Sequence, residues 1–314
     1  MPIYEFVLPI ENLYLKTRFF IVGNTKFFKL SSNKRREYIQ LHEKISSLKE
    51  LIEDQFKIGG TYASIKVDAT NKEEGYKKAI EEIDTSLNIF KLYRYPNDDF
   101  YRRYFGIKGE VIPTDTRVIL YKEILGGIGS YTKVEKTGFS YQYTLDKTRI
   151  AYMMNNGFGK IHQMLRNQRT KLDNRIISAI NWYGKSFNSY TSNKDIIPQK
   201  DKFFEVERFI YCIIALESLL IFDREPIRSN LARRVAHLCE LQYDKEKVSK
   251  TVKNLYDIRS DIIHDGIKSV SKNDLNKLLL ITSATIISLV KRRNRLKINT
   301  IEDLREWLSK RDLR

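Results

Sequence analysis

The sequence is poor in the residues that build metal and redox centres. It has two cysteines, Cys212 and Cys239, in 314 residues. Both fall in apolar stretches without metal-like spacing, so they read as buried thiols in a reducing cytosol. Histidine is equally scarce, with four scattered residues and no HExxH or CxxC motif. No metal site and no other cofactor is expected from such a set. Long hydrophobic runs are missing too. The longest, 209–222 and 278–290, are broken by Glu217 and by Thr282, Ser283, Thr285 and Ser288 respectively, and both are too short to span a bilayer. Met1-Pro2-Ile3-Tyr4-Glu5 lacks the basic start and apolar body of a secretory leader. The expectation is a cytoplasmic protein with no membrane partner. Acidic residues are also in deficit, 39 against 56 Lys and Arg, for a net charge of +17. That excess predicts an acidic partner, with nucleic acid first and an anionic membrane surface second.

The length allows two domains. Residues 1–168 read as an α+β domain and 169–314 as an all-α helical bundle with a C-terminal helical extension. In the first, 3–8 and 18–29 have strand composition, the first closed by Pro9 and the second folded at Gly23-Asn24. Asn33 is expected to cap a helix running to about Phe56, with Gly59-Gly60 as its stop. A strand over 62–67, a helix from Thr70 or Asn71 to about Tyr93, and strands over 117–121 and 131–145 complete this half. Residues 152–168 and 172–187 read as helices, the first weakened by Asn155-Asn156-Gly157. Further helices are expected over 202–222, over 231–241 with Ser229 or Asn230 as cap, from about Asp244 to His264, from Ser271 onward, and over 300–314.

Two features of the first half could hold ligands. Aromatics alternate with cations over 90–95 and again over 100–105, which includes Arg102 and Arg103; such a pattern suits base stacking and phosphate contact. A strand or loop with Tyr inward and Arg outward fits it as well. Gly126-Gly127-Ile128-Gly129 lacks the Lys-Ser/Thr of a P-loop and reads as a turn. His42 and His162 have no metal-like neighbours.

The most informative stretch is Leu255-Tyr256-Asp257-Ile258-Arg259-Ser260-Asp261-Ile262-Ile263-His264-Asp265-Gly266. Leu255, Ile258, Ile262 and Ile263 recur at helical spacing and predict a face turned to a core. Asp265-Gly266 supplies the stop, which puts His264 in the last turn, where a cation is favoured. Arg259, five positions earlier, lies about 140° away around an ideal helix. One helix face therefore does not present both groups, and a groove between two subunits would. Histidine moves protons near neutral pH and arginine forks onto phosphate oxygens, so the pair suits attack of an RNA 2′-hydroxyl on its neighbouring phosphate without a metal. A surface ion pair and a helix-end cation are the plainer account.

The order of blocks adds to this. Arg208-Phe209-Ile210 leads into Ala215-Leu216-Glu217-Ser218-Leu219-Leu220; then come Leu231-Ala232-Arg233-Arg234-Val235-Ala236 and Leu255-Tyr256-Asp257-Ile258-Arg259-Ser260. Together with the Arg-x(4)-His spacing of Arg259 and His264, these resemble the ApeA-like HEPN family of bacterial anti-phage proteins, over about residues 170–297. The resemblance implies a homodimeric, metal-independent endoribonuclease whose Arg259 and His264 meet at the dimer interface, with Ser260 or Asp261 holding the site. It also implies a role in abortive infection, as a toxin that cuts tRNA or ribosomal RNA after a phage-derived trigger. The family often reads His-Gly, whereas here Asp265 intervenes. Glu217, an acidic position that the family shares, is expected to pair with Arg259, Arg233 or Arg234. Arg233, Arg234, His237, Arg292 and Arg293 are candidates for the RNA path, the last two also explicable as cations at a helix C-terminus. A non-catalytic RNA-binding or dimerisation module, or one part of a toxin–antitoxin or multi-subunit defence system, is the alternative.

Overall fold

The structure is a computed structural model and describes residues 1–42, 56–94, 105–107, 117–123, 128–133, 143–187, 200–222, 225–240, 242–266 and 269–312. An α+β N-terminal region precedes a helical C-terminal region. The chain divides into two compact units, one drawn from Met1–Leu87 and Asp99–Ala151, the other from Asn88–Asp98, Tyr152–Phe187 and Ile196–Arg314.

The first unit is built on β1 (Ile3–Glu11), β2 (Leu13–Leu15), β3 (Phe19–Val22), β4 (Thr25–Lys29), α1 (Ser32–His42), β5 (Thr61–Asp68), most of α2 (Lys72–Leu92), β6 (Gly106–Ile107), β7 (Arg117–Glu123), β8 (Ile128–Lys133), β9 (Tyr143–Leu145) and the start of α3 (Lys147–Asn155). The main sheet runs β3-β4-β5-β1-β7-β8, with β6 beside the far end of β1 and every described pairing antiparallel. β2 and β9 form a small parallel pair. β1 is nearly continuously buried because both of its faces are covered. Phe6 meets Tyr76 of α2 with ring centroids 6.0 Å apart, and Gly75 lets that helix approach, since a Cβ there would lie 3.0 Å from the Phe6 ring. Val7, on the opposite face, joins Phe28, Leu30, Phe56 and Tyr62, against which Tyr38 and Ile39 of α1 pack.

Several sequence expectations change here. Pro9 does not close β1. The strand continues to Glu11, and Pro9 lies opposite Tyr62 of β5. On the other side β7 pairs only as far as Val7 and β6 starts at Ile10. Pro9 thus sits in a gap of that ladder, where a residue without an N–H is tolerated. The Gly23-Asn24 turn is as expected, with Gly23 at φ +57°. The first helix is capped by Ser31 rather than Asn33, through Lys34 N–H at 3.3 Å. The expected continuation of that helix over 43–55 lies outside the described residues. Asn71 caps α2 through the Glu73 and Glu74 amides at 3.1 and 2.9 Å.

The second unit contains the last turn of α2, the end of α3, and α4 (Phe158–Arg166), α5 (Lys171–Lys185), α6 (Lys200–Leu220), α7 (Ile227–Cys239), α8 (Lys245–His264), α9 (Lys272–Arg292) and α10 (Ile301–Asp312). α6 is central: Phe209, Cys212, Ile213, Leu216, Leu219 and Leu220 are buried, and it packs against α5, α7, α8 and α9. Gly157, at φ +93°, breaks the expected 152–168 helix into α3 and α4. α7 begins at Ile227, four residues before the expected Leu231, with Pro226 rather than Ser229 or Asn230 as its N-cap residue. No helix among the described residues is long and apolar enough to cross a membrane.

The capping of α5 reaches across the unit. Thr170 and Asp173 form a capping box, with Asp173 N–H to Thr170 Oγ1 at 3.1 Å and Thr170 N–H to Asp173 Oδ2 at 2.9 Å. The other Asp173 oxygen accepts a hydrogen bond from Arg293 Nη1, just beyond α9. Burial pushes the Asp173 carboxyl up, but Arg293 and the two Thr170 bonds outweigh it and hold the group below its ordinary value.

Candidate active site

α8 carries the Arg259 and His264 pair, and its ends are well defined. Asp244 caps the start through Lys247 N–H at 2.8 Å. At the other end the Asp265 amide still bonds the Asp261 carbonyl at 2.9 Å, and Gly266 takes the left-handed conformation at φ +67°. The helix is regular to His264, so Arg259 and His264 keep the five-residue offset, about 9 Å between their Cα atoms on ideal geometry.

The apolar stripe of α8 leaves the core as it nears that end. Val248, Val252 and Leu255 are buried. Ile258 and Ile262 are only half-buried, and Ile263 is 51% exposed. The expectation that all four positions from Leu255 to Ile263 face the core is therefore met by Leu255 alone. Arg259, Ser260 and Asp261 are half-buried, while His264 and Asp265 are exposed.

Glu217, on α6, comes to Arg259 and not to Arg233 or Arg234. Its Oε1 lies 3.7 Å from Arg259 Nε, with side-chain exposures of 20% and 24%. This is an ion pair beyond hydrogen-bond length. Tyr256, one turn before Arg259, lies under the guanidinium, Cζ to ring centroid 5.4 Å. Burial pushes the Glu217 carboxyl up, while Arg259 and the Tyr256 hydroxyl pull against it. The Tyr256 hydroxyl is itself pushed up, first by burial and then by the Glu217 charge. Tyr256 was not singled out from sequence; its place one turn from Arg259 on the same helix face was the available signal.

The proposed RNA path dissolves into structural pairs. Arg234 is 5% exposed and held by Glu225, with Nη2 to Oε2 at 2.9 Å, and by the Leu220 carbonyl at 2.7 Å. Arg233 is half-buried and bonds Asn230 Oδ1 at 2.6 Å. His237 is buried, its Nδ1 4.0 Å from Glu240. Arg292 is buried, bonds the Leu238 carbonyl at 3.2 Å and Glu240 at 3.4 Å, and lies against Trp307 of α10. Arg293 is committed to Asp173 and to the Ile298 carbonyl at 3.3 Å. None of these four buried groups is offered to a ligand. The physical reason is that Arg234, Arg292 and Arg293 close buried seams between helices beside Glu225, Glu240 and Asp173, with Glu240 shared between Arg292 and Arg311.

The aromatic–cation run at 90–95 is likewise internal as far as it is described. Phe90, Lys91, Leu92 and Tyr93 end α2 or follow it, and all four, with Arg94, are buried. Arg102 and Arg103 lie outside the described residues, as do Gly126 and Gly127. His162 is drawn down by burial and by Arg166. Cys212 and Cys239 are free and buried, their thiols pushed by desolvation up to about 12 and about 11. Among the described residues no three His, Cys, Asp or Glu side chains gather as a metal site requires. Comparison of the chain with family models, with curated proteins and with solved structures finds no match.

Proposed function

We propose that the chain is a metal-independent endoribonuclease of the HEPN type, acting in anti-phage defence by cutting RNA and arresting growth. One observation carries the reading. The half-buried Arg259, paired with Glu217, and the exposed His264 stand where the α8 apolar stripe leaves the core. The exposed Ile263 beside them gives a second copy of the chain something to bury, and a two-fold interface along this face would bring the Arg259 and His264 of both copies to one groove.

The chemistry follows from the two groups. The RNA 2′-oxygen attacks the adjacent phosphorus and the bond to the 5′-oxygen breaks, leaving a 2′,3′-cyclic phosphate and a 5′-hydroxyl. His264 takes the 2′-hydroxyl proton or supplies one to the leaving 5′-oxygen, and its symmetry mate takes the complementary part. Arg259 spreads the charge that builds on the non-bridging oxygens. Ser260 and Asp261, half-buried on the same turn, hold the helix end. The excess of +17 charges supports an RNA partner, with transfer or ribosomal RNA as candidate substrates. In this reading the N-terminal unit meets the phage-derived trigger or orients the RNA.

A second reading has one observation in its favour. Asp265 is exposed next to His264, a carboxylate where a phosphate has to approach. A non-catalytic HEPN module for RNA binding or dimerisation, alone or within a larger defence system, would tolerate that charge. The test is cleavage of total RNA in excess EDTA by wild type, Arg259→Ala and His264→Ala. The nuclease reading expects cutting by the wild type and none by either folded variant. RNA bound but uncut by all three, with or without infected-cell extract, would sink it in favour of the module.

A further inference from the structure

The charges on α8 run against the dipole of the helix. α2, α5, α9 and α10 carry carboxylates in the first turn and cations in the last, as the dipole favours. α8 has Glu246 and His264 in those turns, but it also bears Lys245 and Lys247 at its start, Asp261 near its end and Asp265 as its C-cap. Helix stability alone does not account for that order. The solvent side of α8 continues the pattern. Lys250, Asp257 and His264 are seven residues apart, so successive members lie within about 20° of one another around an ideal helix. Lys253, one turn before Asp257, joins them, while Val248, Val252 and Leu255 are buried on the other side. Lys250 is exposed and Lys253 half-buried. Each has a carboxylate four residues away, Glu246 and Asp257, and neither closes an ion pair among the described residues. Comparable pairs elsewhere do close, Lys78 to Glu74 at 2.7 Å and Lys310 to Glu306 at 2.5 Å. Asp257 is taken instead by Arg228 of α7, in a forked pair at 2.6 and 2.7 Å with both side chains about half exposed. The fork holds Arg228 through Nε and Nη2 and leaves Nη1 without a protein partner.

We propose that this face of α8 is a track for the phosphate backbone of single-stranded RNA, gripped by Lys250, Lys253 and Arg228 and leading to His264. The proposal deepens the nuclease reading and rests on it for the identity of the ligand. Asp257 serves the track in two ways: it fixes the direction of the Arg228 guanidinium, and it leaves Lys253 uncommitted. From Lys250 to His264 the helix rises about 21 Å, enough for several nucleotides to be held before the chain reaches the histidine. Asp261 and Asp265 mark where the grip stops. Backbone phosphates are held over the first half of α8, and only the phosphate to be cut has to pass the two carboxylates. The basic residues that the sequence offered for this purpose are used inside the bundle, whereas these three stand in solvent on the same helix as His264 or clamped against it.

The experiment measures binding of a labelled single-stranded RNA of mixed sequence by anisotropy over a range of salt concentrations. The full chain is used with His264→Ala, so that the RNA stays whole. Added to it are Lys250→Gln, Lys253→Gln and Arg228→Gln together, or the two lysine changes alone, which keep the clamp between Arg228 and Asp257. A control removes the same charge elsewhere, with Lys72→Gln, Lys77→Gln and Lys147→Gln. Each phosphate contact on a single strand contributes about 0.7 to the slope of log affinity against log salt, so the triple variant should lose about 2 and the lysine pair about 1.4. The control should keep the slope. With His264 restored, the triple variant should raise KM for cleavage and leave kcat near that of wild type. A slope that falls no further in the triple variant or the lysine pair than in the control would overturn the track. So would displacement of the RNA by polyglutamate as readily as by unlabelled RNA, which would assign the face to an acidic protein. A wild type that cuts no RNA while the slopes change as expected would defeat the nuclease reading and leave the track standing as an RNA-binding surface. A chain that binds no RNA would defeat both.

Discussion

Arg293 gives the sharpest test of how the basic residues are used. The sequence offers it as an RNA contact, whereas the structure commits it to Asp173 at 10% and 9% side-chain exposure. Arg293→Met keeps apolar bulk and leaves Asp173 buried without its cation. Breaking one side of such a pair costs about 3–5 kcal/mol. The lower end applies, about 3 kcal/mol, because Asp173 keeps both Thr170 bonds and lies in the first turn of α5, where the helix dipole favours a negative charge. For a unit of this size that lowers Tm by roughly 6–12 °C. Circular dichroism melts at pH 7 measure it, and a double-mutant cycle with Asp173→Ala assigns it to the pair. The pH dependence has a definite sign. Asp173 is held below its ordinary value of 3.8, so its stabilisation is present above that pH and is lost as pH falls toward the lower folded value. The gap between wild type and Arg293→Met should stay constant from pH 7 to pH 5 and shrink below about 3.8. An unchanged Tm together with weakened RNA binding would refute the reasoning and return Arg293 to a ligand surface.

Ile263→Glu should leave the melting temperature near that of wild type, because the side chain is 51% exposed, and should abolish dimer formation in light scattering; a stable dimer in that variant would remove the proposed interface. Glu217 binds its proton more tightly when folded, so stability should fall as pH rises from its ordinary 4.5 and level off above the folded value; Glu217→Gln should erase that slope in denaturant titrations over this range. Gly184→Ala would set a Cβ 2.2 Å from the Asn88 amide and 2.5 Å from its Cβ, and overpacking of this kind costs about 1–3 kcal/mol, measurable by urea unfolding. Cys212 and Cys239 should stay unreactive to a thiol reagent at pH 8 until the protein is unfolded, and fast labelling of the native protein would contradict their burial.

What the sequence reveals depends on how local the governing interaction is. The start of α8 at Asp244, the Ser271 cap, the Gly23-Asn24 turn and the Gly266 stop are written in neighbouring residues and appear where expected. The approach of Glu217 to Arg259 was legible because a carboxylate in so apolar a helix needs a cation, and few were at hand. The opposite held for Arg234, Arg292 and Arg293. Their partners Glu225, Glu240 and Asp173 sit on other segments, and nothing near an arginine in sequence says that a distant carboxylate has claimed it. The exposure of Ile263 was hidden for a related reason. Periodicity reports that a helix has an apolar face, not how far along the helix the core extends. Pro9 misled because its missing donor was judged without knowing which ladder would be empty beside it.

The helical unit does not begin where its own helices do. Asn88 lends its amide to Asn181 at 3.2 Å, and Tyr93, fully buried, gives its hydroxyl to the Asn156 carbonyl at 3.0 Å and its ring to Phe158. Asn88 lies in the last turns of α2 and Tyr93 just beyond it, while the last tie, Arg293 to Asp173, waits for the far end of α9. A fragment cut at residue 169 would therefore start with a missing piece of its own interior, and it should aggregate or melt early however intact its motif helix. During synthesis the same geometry imposes an order. The segment 88–94 emerges first and meets its partners only after 63 residues at Asn156 and 93 at Asn181. With the Arg293 tie closing last, no shorter stub of the chain carries the finished bundle.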